Sequence, residues 1–313
     1  MKLLKYFVRS VVGTILSPVG NYLTKNKLTI FCYHDVSSSP SEFSHKYDLN
    51  VSPDTFDFQI DFINKNFNVI SPDDLSTNKM PKNAALITFD DGFKSYFTNA
   101  VPILKKYETP SLIFLNMAPI KGEIFWSGLI TYLCDKKSDF VKFLNLPKDL
   151  NTKGKPKFLF CSQEIVNSYL ESKNKNFKEE VDEFVGEFGD VNDLKSLSED
   201  NLVFYGNHLY KHYVPLLLSD NKLLEMYNKN EKLLEKFPNY RKLFSFPFGQ
   251  PETCFSMRQV ELLLDNGCQK IFTSYPYLNT NIKSKYLHRI PLHARHSNKG
   301  SIWFNIFRRN LRF

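Results

Sequence analysis

Long apolar runs are missing from this chain of 313 residues, and the longest fall well short of the roughly 20 residues that a membrane-spanning helix requires. A polytopic membrane protein is therefore excluded. Glycine and proline are also scarce, at 12 and 16 residues, which excludes a fibrous or low-complexity protein. The hydrophobic share of 42% is enough for a sizeable core, in one large domain or two ordinary ones.

Cysteine offers neither a disulfide framework nor a thiolate metal site. The five cysteines are odd in number, widely spaced and contain no C-x-x-C pair. This use of cysteine fits a reducing compartment best.

Acidic residues are absent from both ends of the chain. Residues 1–27 contain five Lys or Arg and residues 297–313 contain four, so the part between them carries −1 of a total charge of +8. Nucleic-acid binding needs a basic stripe on the folded surface, and we therefore do not expect it.

Both ends combine positive charge with apolar residues at helical spacing. At about 100° per residue, one helical face collects Leu4, Phe7, Val8, Val11 and Ile15, opposite Lys2, Lys5 and Arg9. At the other end the basic residues Arg308, Arg309 and Arg312 follow Trp303, Phe304 and Phe307. We expect both ends to lie on an anionic membrane surface; the alternative is that they cover the folded domain or a partner chain. No cleaved secretory signal is predicted, because Arg9 interrupts the apolar stretch.

Strand and helix patterns alternate along most of the chain. Strand patterns cover residues 27–36, 84–89, 111–116, 202–206, 243–247 and 269–273, with helical patterns at 53–66, 100–107, 222–237 and 256–266. This rhythm predicts parallel β/α units. Residues 119–200 interrupt it and are interpreted as an inserted helical subdomain.

Two carboxylates, Asp90 and Asp91, stand where a buried strand ends in a TFDDG turn. Neighbouring strand residues point to opposite faces, which disfavours the pair of facing carboxylates that a glycosidase uses. One carboxylate as a metal ligand beside the other as a base agrees better with this geometry. A solvated turn that caps the next helix is the alternative.

His208 and His212 favour the metal. Their spacing of four on a helical turn would bring both imidazoles to one face, and the pair plus one carboxylate makes three protein ligands with positions left open. The strand before His208 is expected to deliver the pair to the same barrel rim as the carboxylates. Either histidine alone would be interpreted as structural.

Two later segments supply further candidates. The FSFPFG turn at 244–249 can aim a backbone N–H into a site, or it is a plain exit from a strand. Residues 287–296 contain His288, His293 and His296, enough for a general acid without indicating which one.

Together these segments resemble the polysaccharide deacetylases with the NodB homology domain, carbohydrate esterase family 4. FCYHDVS, LITFDDG, the H-x-x-x-H pair and FSFPFG occur in the family's order, from residue 28 to about 293 and outside the insertion. The resemblance implies a distorted (β/α) barrel of seven or eight strands and metal-dependent removal of N-acetyl or O-acetyl groups from sugars.

The resemblance also implies roles for single residues. Asp90 matches the catalytic base, the Phe248 N–H would hold the oxyanion, and His293 is our candidate general acid. The metal ligands, most simply of Zn²⁺, would be Asp91, His208 and His212.

Two positions depart from the family pattern. Leu209 stands where a Ser or Thr usually steadies the loop, and Ser245 stands where many members carry an arginine that orients the base. Arg289 is a candidate for replacing that arginine.

We therefore expect a basic amphipathic segment at 1–27, a deacetylase barrel at 28–296 with its insertion at 119–200, and a basic aromatic tail at 297–313. The substrate would be an N-acetylated cell-envelope polysaccharide or lipid-linked sugar. Alternatives are a deformylase of a lipid-linked aminosugar and a catalytically silent glycan-binding barrel, which the complete site set opposes. The expected location is cytoplasmic and peripheral to the membrane, or else periplasmic with an uncleaved anchor; no oligomeric state is predicted.

Overall fold

The computed structural model of this protein describes residues 2–77, 80–145 and 157–309. The described strands are β1 (Leu28–Tyr33), β2 (Asp35–Val36), β3 (Asn50–Val51), β4 (Asn68–Val69), β5 (Ala84–Phe89), β6 (Ser111–Leu115), β7 (Val203–Asn207), β8 (Tyr240–Ser245), β9 (Lys270–Thr273), β10 (Tyr286–His288) and β11 (Ile290–Pro291).

The described helices are α1 (Lys2–Thr24), α2 (Glu42–Lys46), α3 (Pro53–Asn66), α4 (Val101–Lys106), α5 (Met117–Ile120), α6 (Trp126–Lys136), α7 (Ser138–Phe143), α8 (Gln163–Lys173), α9 (Lys178–Val185), α10 (Val191–Ser196), α11 (Asp220–Leu234), α12 (Met257–Asp265) and α13 (Lys299–Phe307). A π-helical turn, Tyr96–Ala100, leads into α4, and short 3-10 turns occur at Pro72–Ser76, Lys157–Phe160 and Pro215–Leu217.

Eight parallel strands form a sheet that nearly closes into a barrel. Their order is β10-β9-β8-β7-β6-β5-β1-β11, and β4 pairs with the start of β5 outside this path. β10 and β11 lie at opposite ends of this order, yet Arg289 alone separates them in the chain. The chain therefore joins the two edges of the sheet at Arg289. This arrangement confirms the predicted (β/α) barrel.

The barrel interior changes from apolar to polar along its axis. Side chains along each strand point alternately to the two faces of the sheet. One set of alternate residues forms an apolar cluster of Leu28, Ile30, Ala84, Leu86, Leu112, Phe114, Phe204, Leu243, Phe272 and Leu287. The next residues in this alternation, toward the carboxyl ends of the strands, are Cys32, Thr88, Ser245 and Arg289. The polar layer thus lies at the barrel end where active sites of such folds are found.

Between β6 and β7 the chain forms helices α5 to α10, with residues 146–156 outside the described part. The apolar face of α9, which includes Val181 and Phe184, is buried. Phe43 of α2 contacts the rings of Phe125 and Phe184, so this helical insertion packs against the barrel rim at α2.

The first and last described helices pack along each other. A Cβ added at Gly13 of α1 would lie 1.7 Å from the carbonyl oxygen of Gly300 in α13, so the two backbones are in direct contact. In α13, Trp303 is buried and contacts the ring of Phe62, and Phe307 is buried as well. The prediction that these two aromatic residues lie on a membrane is therefore wrong, because their rings fill the core.

The outer face of α1 stays uncovered. Val11, Ile15, Val19 and Tyr22 are exposed, and Ile15 is exposed to 70%. Among the other members of the predicted faces, Phe304 is half-buried, and Arg308 and Arg309 are exposed. The rest lie outside the described side chains: Lys2, Leu4, Lys5, Phe7, Val8, Arg9 and Arg312. In the part of the chain that the structure describes, no helix combines the length and apolarity needed to cross a bilayer.

Candidate active site

The two carboxylates lie in a tight turn directly after β5. Asp91 adopts a left-handed conformation with φ 74°, and Gly92 follows with φ 98°. The Asp90 N–H donates to the Tyr33 carbonyl, which ties the turn to neighbouring β1. Positive φ is unfavourable for a residue with a side chain, and such strain is concentrated at functional sites. Both carboxylates are buried at the carboxyl end of the barrel.

His208 and His212 follow β7 in an irregular turn, which corrects the predicted helical geometry. Leu209 has φ 67°, and this left-handed residue interrupts any right-handed helix between the two histidines. The rings nevertheless lie 4.9 Å apart, centroid to centroid.

Buried side-chain amides hold this turn, because Leu209 lacks the hydroxyl that a Ser or Thr would supply at its position. Asn116, after β6, donates from its side chain to the carbonyls of His208 and Leu209. The Leu209 N–H in turn donates to the Asn207 side chain at 2.9 Å, and Asn230 donates to that same oxygen at 2.7 Å.

Asp91, His208 and His212 form a group that fits a metal ion. Nε2 of His208 and of His212 lie 3.5 Å and 3.2 Å from Asp91 Oδ1. Ligands about 2.0–2.1 Å from a tetrahedral zinc are about 3.3 Å apart, so these spacings match such a site. Asp91 Oδ1 and His212 Nδ1 are buried, and within the described residues neither makes a hydrogen bond.

The tautomer of His208 supports the same interpretation. Its Nδ1 lies 2.7 Å from the Ser245 carbonyl oxygen. A carbonyl can only accept a hydrogen bond, so Nδ1 carries a proton, and Nε2 is the ring atom that faces Asp91 and can bind a metal once it is deprotonated. Metal-binding histidines are commonly oriented in this way.

Asp90 is held by Arg289 rather than by the histidines. The guanidinium donates to Asp90 Oδ1 at 2.6 Å and Oδ2 at 2.7 Å, and also to Ser245 Oγ at 2.6 Å. Arg289 is 1% exposed. Arg289 thus binds both carboxylate oxygens of Asp90 and the side chain of Ser245.

The electrostatic balance keeps both carboxylates ionised. Burial alone would raise the pKa of Asp90, but the charge of Arg289 and its hydrogen bonds hold that pKa below its usual range. For Asp91, burial is likewise outweighed by the imidazoles of His212 and His208, and its pKa lies well below the usual value. Asp90 can therefore accept a proton at neutral pH.

A second cluster of potential ligands, Cys32, His34 and Asp90, adjoins this group. We assign no metal to it, because Arg289 already neutralises Asp90 and would repel a cation. Burial also raises the pKa of the Cys32 thiol far above its usual value, so the thiol stays protonated. His34 lies 3.8 Å from Asp90 Oδ2. The FCYHDVS motif contains His34, but no role was predicted for this residue from the sequence, so its position in the site was missed.

Phe248 lies in the turn after β8 with φ 60°, and Gly249 follows with φ 60°. Within the described residues no acceptor is bonded to the Phe248 N–H. Its ring packs 4.9 Å from the ring of His212, which places this turn beside the metal group.

Of the three candidate acids, His293 alone lines the cavity. Its Nδ1 lies 2.7 Å from the Asp48 carbonyl oxygen. His288 points to the opposite side of its strand and bonds Thr273 Oγ1, while His296 Nδ1 accepts from the His293 N–H. Burial lowers the pKa of His293 to about 4, so its ring is neutral in this structure.

These residues surround one cavity of about 340 Å³. It brings together all six predicted site residues: Asp90, Asp91, His208, His212, Phe248 and His293. Ser127, Thr131 and Phe158 of the insertion also line it. The sequence carries no local signal for these three, because their position depends on how the insertion folds back.

Comparison with known proteins agrees with this arrangement. The family model for polysaccharide deacetylase matches residues 77–265. YxkH of Bacillus subtilis (strain 168), assigned by name to the polysaccharide deacetylases, is 33% identical over 95 residues, which are 28% of this chain and 32% of YxkH. The matched part is thus about a third of that relative's length.

Solved structures share the fold at low sequence identity. IcaB from Ammonifex degensii superposes with a TM-score of 0.60 and 18% identity over 90% of this chain and 97% of its own. Streptococcus pyogenes deacetylase PplD, solved with acetate, gives 0.59 and 17% over 90% and 99%. A de-N-acetylase from Aggregatibacter actinomycetemcomitans gives 0.58 and 14% over 88% and 98%. These likenesses support the barrel.

Proposed function

This chain belongs to the polysaccharide deacetylase family, and from that premise we propose that it is a metal-dependent hydrolase that removes N-acetyl groups from a cell-envelope polysaccharide or lipid-linked sugar. Family membership confirms the predicted enzyme class, a carbohydrate deacetylase. Metal dependence, the acyl group and the sugar are our proposal.

One observation carries the proposal. A three-ligand group, Asp91, His208 and His212, lies beside an ionised carboxylate, Asp90, in one cavity. Two imidazoles and one carboxylate leave a tetrahedral ion with an open position, the arrangement of catalytic rather than structural zinc.

When bound there, a divalent ion would act as a Lewis acid on the acyl oxygen and lower the pKa of water. Asp90 accepts the proton of the attacking water, and Arg289 keeps its carboxylate in a fixed orientation. The Phe248 N–H donates to the oxygen that becomes negative as the carbonyl is attacked.

His293 is the group that we propose for protonating the leaving amine. Because Nδ1 is engaged with the Asp48 carbonyl, Nε2 is the atom left to the cavity. Burial keeps His293 neutral, so Nε2 first takes up a proton from the solvent and then donates that proton to the leaving amine.

Metal content and acetate release, measured on the same preparations, test the proposal. His208→Ala should lose bound zinc and activity together, whereas Asp90→Asn should keep the metal and lose about 10²- to 10⁴-fold in kcat. His45→Ala, at an exposed histidine of α2, is the matched control and should change neither. If His208→Ala retains one zinc per chain, the ligand assignment fails. Parallel assays of formate release from N-formyl sugars distinguish the deformylase alternative.

We also propose that α1 attaches the enzyme to an anionic membrane surface on the cytoplasmic side. Val11, Ile15, Val19 and Tyr22 form the exposed apolar stripe, and exposed Arg308 and Arg309 lie at the end of the adjacent α13. Such a stripe beside basic residues suits the lipid interface. A periplasmic enzyme with an uncleaved anchor is the alternative location.

Co-sedimentation with anionic vesicles tests this attachment. The double variant Ile15→Ser and Val19→Ser should bind less than a tenth as well, and 1 M salt should release the intact protein because the Debye length falls to about 3 Å. A change of the same kind on another surface, Met257→Ser, should leave binding unchanged, since Met257 is also an exposed apolar residue and lies on α12. Equal sedimentation of all three proteins would refute the attachment.

A further inference from the structure

Two of the five cysteines are in contact inside the helical insertion. Sγ of Cys134, on α6, lies 3.8 Å from Sγ of Cys161, which stands directly after the 3-10 turn Lys157–Phe160. The two residues are 27 positions apart, so no local pattern in the chain indicates that they meet. The fold of the insertion therefore creates a thiol pair that the cysteine spacing did not predict.

The other three cysteines have oxygen atoms as neighbours. The Cys268 thiol donates to a backbone carbonyl at 3.3 Å, and the Cys32 thiol lies 3.8 Å from Asp90 Oδ2. Sγ of Cys254 lies 3.7 Å from the hydroxyl of the adjacent Thr253. The pair in the insertion is thus the one placed for a reaction between two sulfurs.

The two paired thiols differ in their access to solvent. Cys161 is 1% exposed, whereas Cys134 is partly exposed. The hydrogen bond with Cys134, together with burial, raises the pKa of the Cys161 thiol. Because the thiolate is the nucleophile in disulfide exchange, Cys134 is the thiol that reacts first with an oxidant from solvent.

The thiol pair adjoins the part of the cavity wall that the insertion contributes. Thr131 and Phe158 line the cavity, and each cysteine stands three residues after one of them. On α6 this spacing places Thr131 and Cys134 on neighbouring turns of one side of the helix. In the 3-10 turn, the Cys161 N–H donates to the Phe158 carbonyl at 3.1 Å. A bond between the two sulfurs would therefore tie the turn that carries Phe158 to α6.

We propose that Cys134 and Cys161 form a reversible disulfide, and that this modification fixes the cavity wall made by Thr131 and Phe158. The oxidant is a small-molecule disulfide, RSSR, of the glutathione type. The Cys134 thiolate attacks one sulfur of RSSR and releases RS⁻, which leaves a mixed disulfide on Cys134. The Cys161 sulfur then attacks the Cys134 sulfur and releases the second RS⁻. Two electrons pass from the cysteines to RSSR, and the two thiol protons end on two RSH.

Oxidation should improve substrate binding and leave the chemical step unchanged. The disulfide restricts movement of the 3-10 turn relative to α6, so less conformational freedom is lost when a substrate binds. We expect KM to fall about threefold with little change in kcat, because the metal group and Asp90 lie outside the insertion. This effect on KM rests on the proposed deacetylase function, whereas formation of the disulfide does not.

Thiol counting and peptide mapping test the disulfide on the full chain without any assay of activity. After incubation with excess oxidised glutathione, the number of reactive thiols in the denatured protein should fall from five to three. Mass spectrometry without reduction should find the Cys134 and Cys161 peptides linked, and reduced glutathione should reverse the link. The Tm of the oxidised protein should rise by at least about 3 °C.

Three variants serve as controls. Cys161→Ser and Cys134→Ala should show neither an internal link nor the rise in Tm on oxidation. Cys268→Ser makes a matched change at a buried cysteine outside the insertion and should still form the link. The KM for acetate release is then compared between the oxidised and reduced forms of the unaltered protein and of Cys268→Ser.

The possible results separate this inference from the proposed function. If all five thiols remain reactive, or if the link joins other cysteines, the disulfide is refuted. If the disulfide forms but KM and Tm are the same in both forms, the effect on the cavity wall is refuted. If neither form releases acetate, the deacetylase proposal is wrong, while thiol counting and peptide mapping still decide whether the disulfide forms.

Discussion

Replacing Arg289 with methionine probes the pair on which the catalytic carboxylate depends. Methionine keeps much of the volume and removes the guanidinium, so Asp90 stays buried without its counter-charge. Removing one partner of a buried ion pair costs about 3–5 kcal/mol. We therefore expect the free energy of unfolding, measured with urea, to fall by that amount in Arg289→Met.

A double-mutant cycle isolates the pairwise contribution. Asp90→Asn alone leaves Arg289 buried beside a neutral amide, whereas the double variant carries no charge at either position. The double variant should be less destabilised than the sum of the two single variants by at least about 2 kcal/mol. Arg258→Met is the matched control, since Arg258 is 81% exposed and its pair with Asp220 should be worth at most about 1 kcal/mol.

Catalysis gives an independent result. Arg289→Lys keeps a charge but loses the planar fork that holds both carboxylate oxygens. We expect kcat to fall about 10²-fold with a smaller change in KM, because Asp90 is misplaced while the cavity is intact. Additive free energies in the cycle, or normal kcat in Arg289→Lys, would refute the positioning role.

Three further predictions follow from contacts around the site and at the ends of the chain. Asn116→Ala removes the amide that holds the His208 turn and should weaken zinc affinity about 10- to 100-fold, as measured by competition with a chelator. The lowered pKa of His293 means that its neutral form is favoured by folding, so stability is lost as pH falls below about 6.5. Between pH 7 and pH 5 the free energy of unfolding, measured with urea, should fall by about 2 kcal/mol more in the unaltered protein than in His293→Gln. The same pH dependence in both proteins would contradict the buried, neutral state of His293. Gly13→Val places methyl groups against the Gly300 carbonyl, and limited proteolysis should then release α1, whereas Thr14→Val, at an exposed position beside it, should stay resistant.

Much of the fold could be predicted because its signals are local. Strand β5 and helix α3 match the predicted residues 84–89 and 53–66, since runs of buried β-formers and a capped amphipathic pattern each lie within one short segment. The motif order likewise indicated the family and the residues that share the cavity.

Other features depended on contacts between distant segments. The spacing of His208 and His212 predicted a helical turn, but Leu209 is held in a left-handed conformation by amides that include Asn116, 93 residues away in the chain. Trp303 looked like part of an interfacial tail, yet α13 is packed between α1 and the core, so the ring is buried.

Periodicity predicted most of the strands and helices and the parallel barrel, and residue chemistry predicted two histidines and one of two carboxylates as metal ligands. Which groups meet depends on contacts between distant segments. Asp90 and Arg289 are 199 residues apart and pair because the barrel closes at Arg289. The same closure turns Arg289 inward and His288 outward, since neighbouring residues of a strand point to opposite faces. The insertion lies over the cavity because Phe158 and Phe43 find ring partners on the two sides of the rim, and no local pattern in the chain specifies those partners.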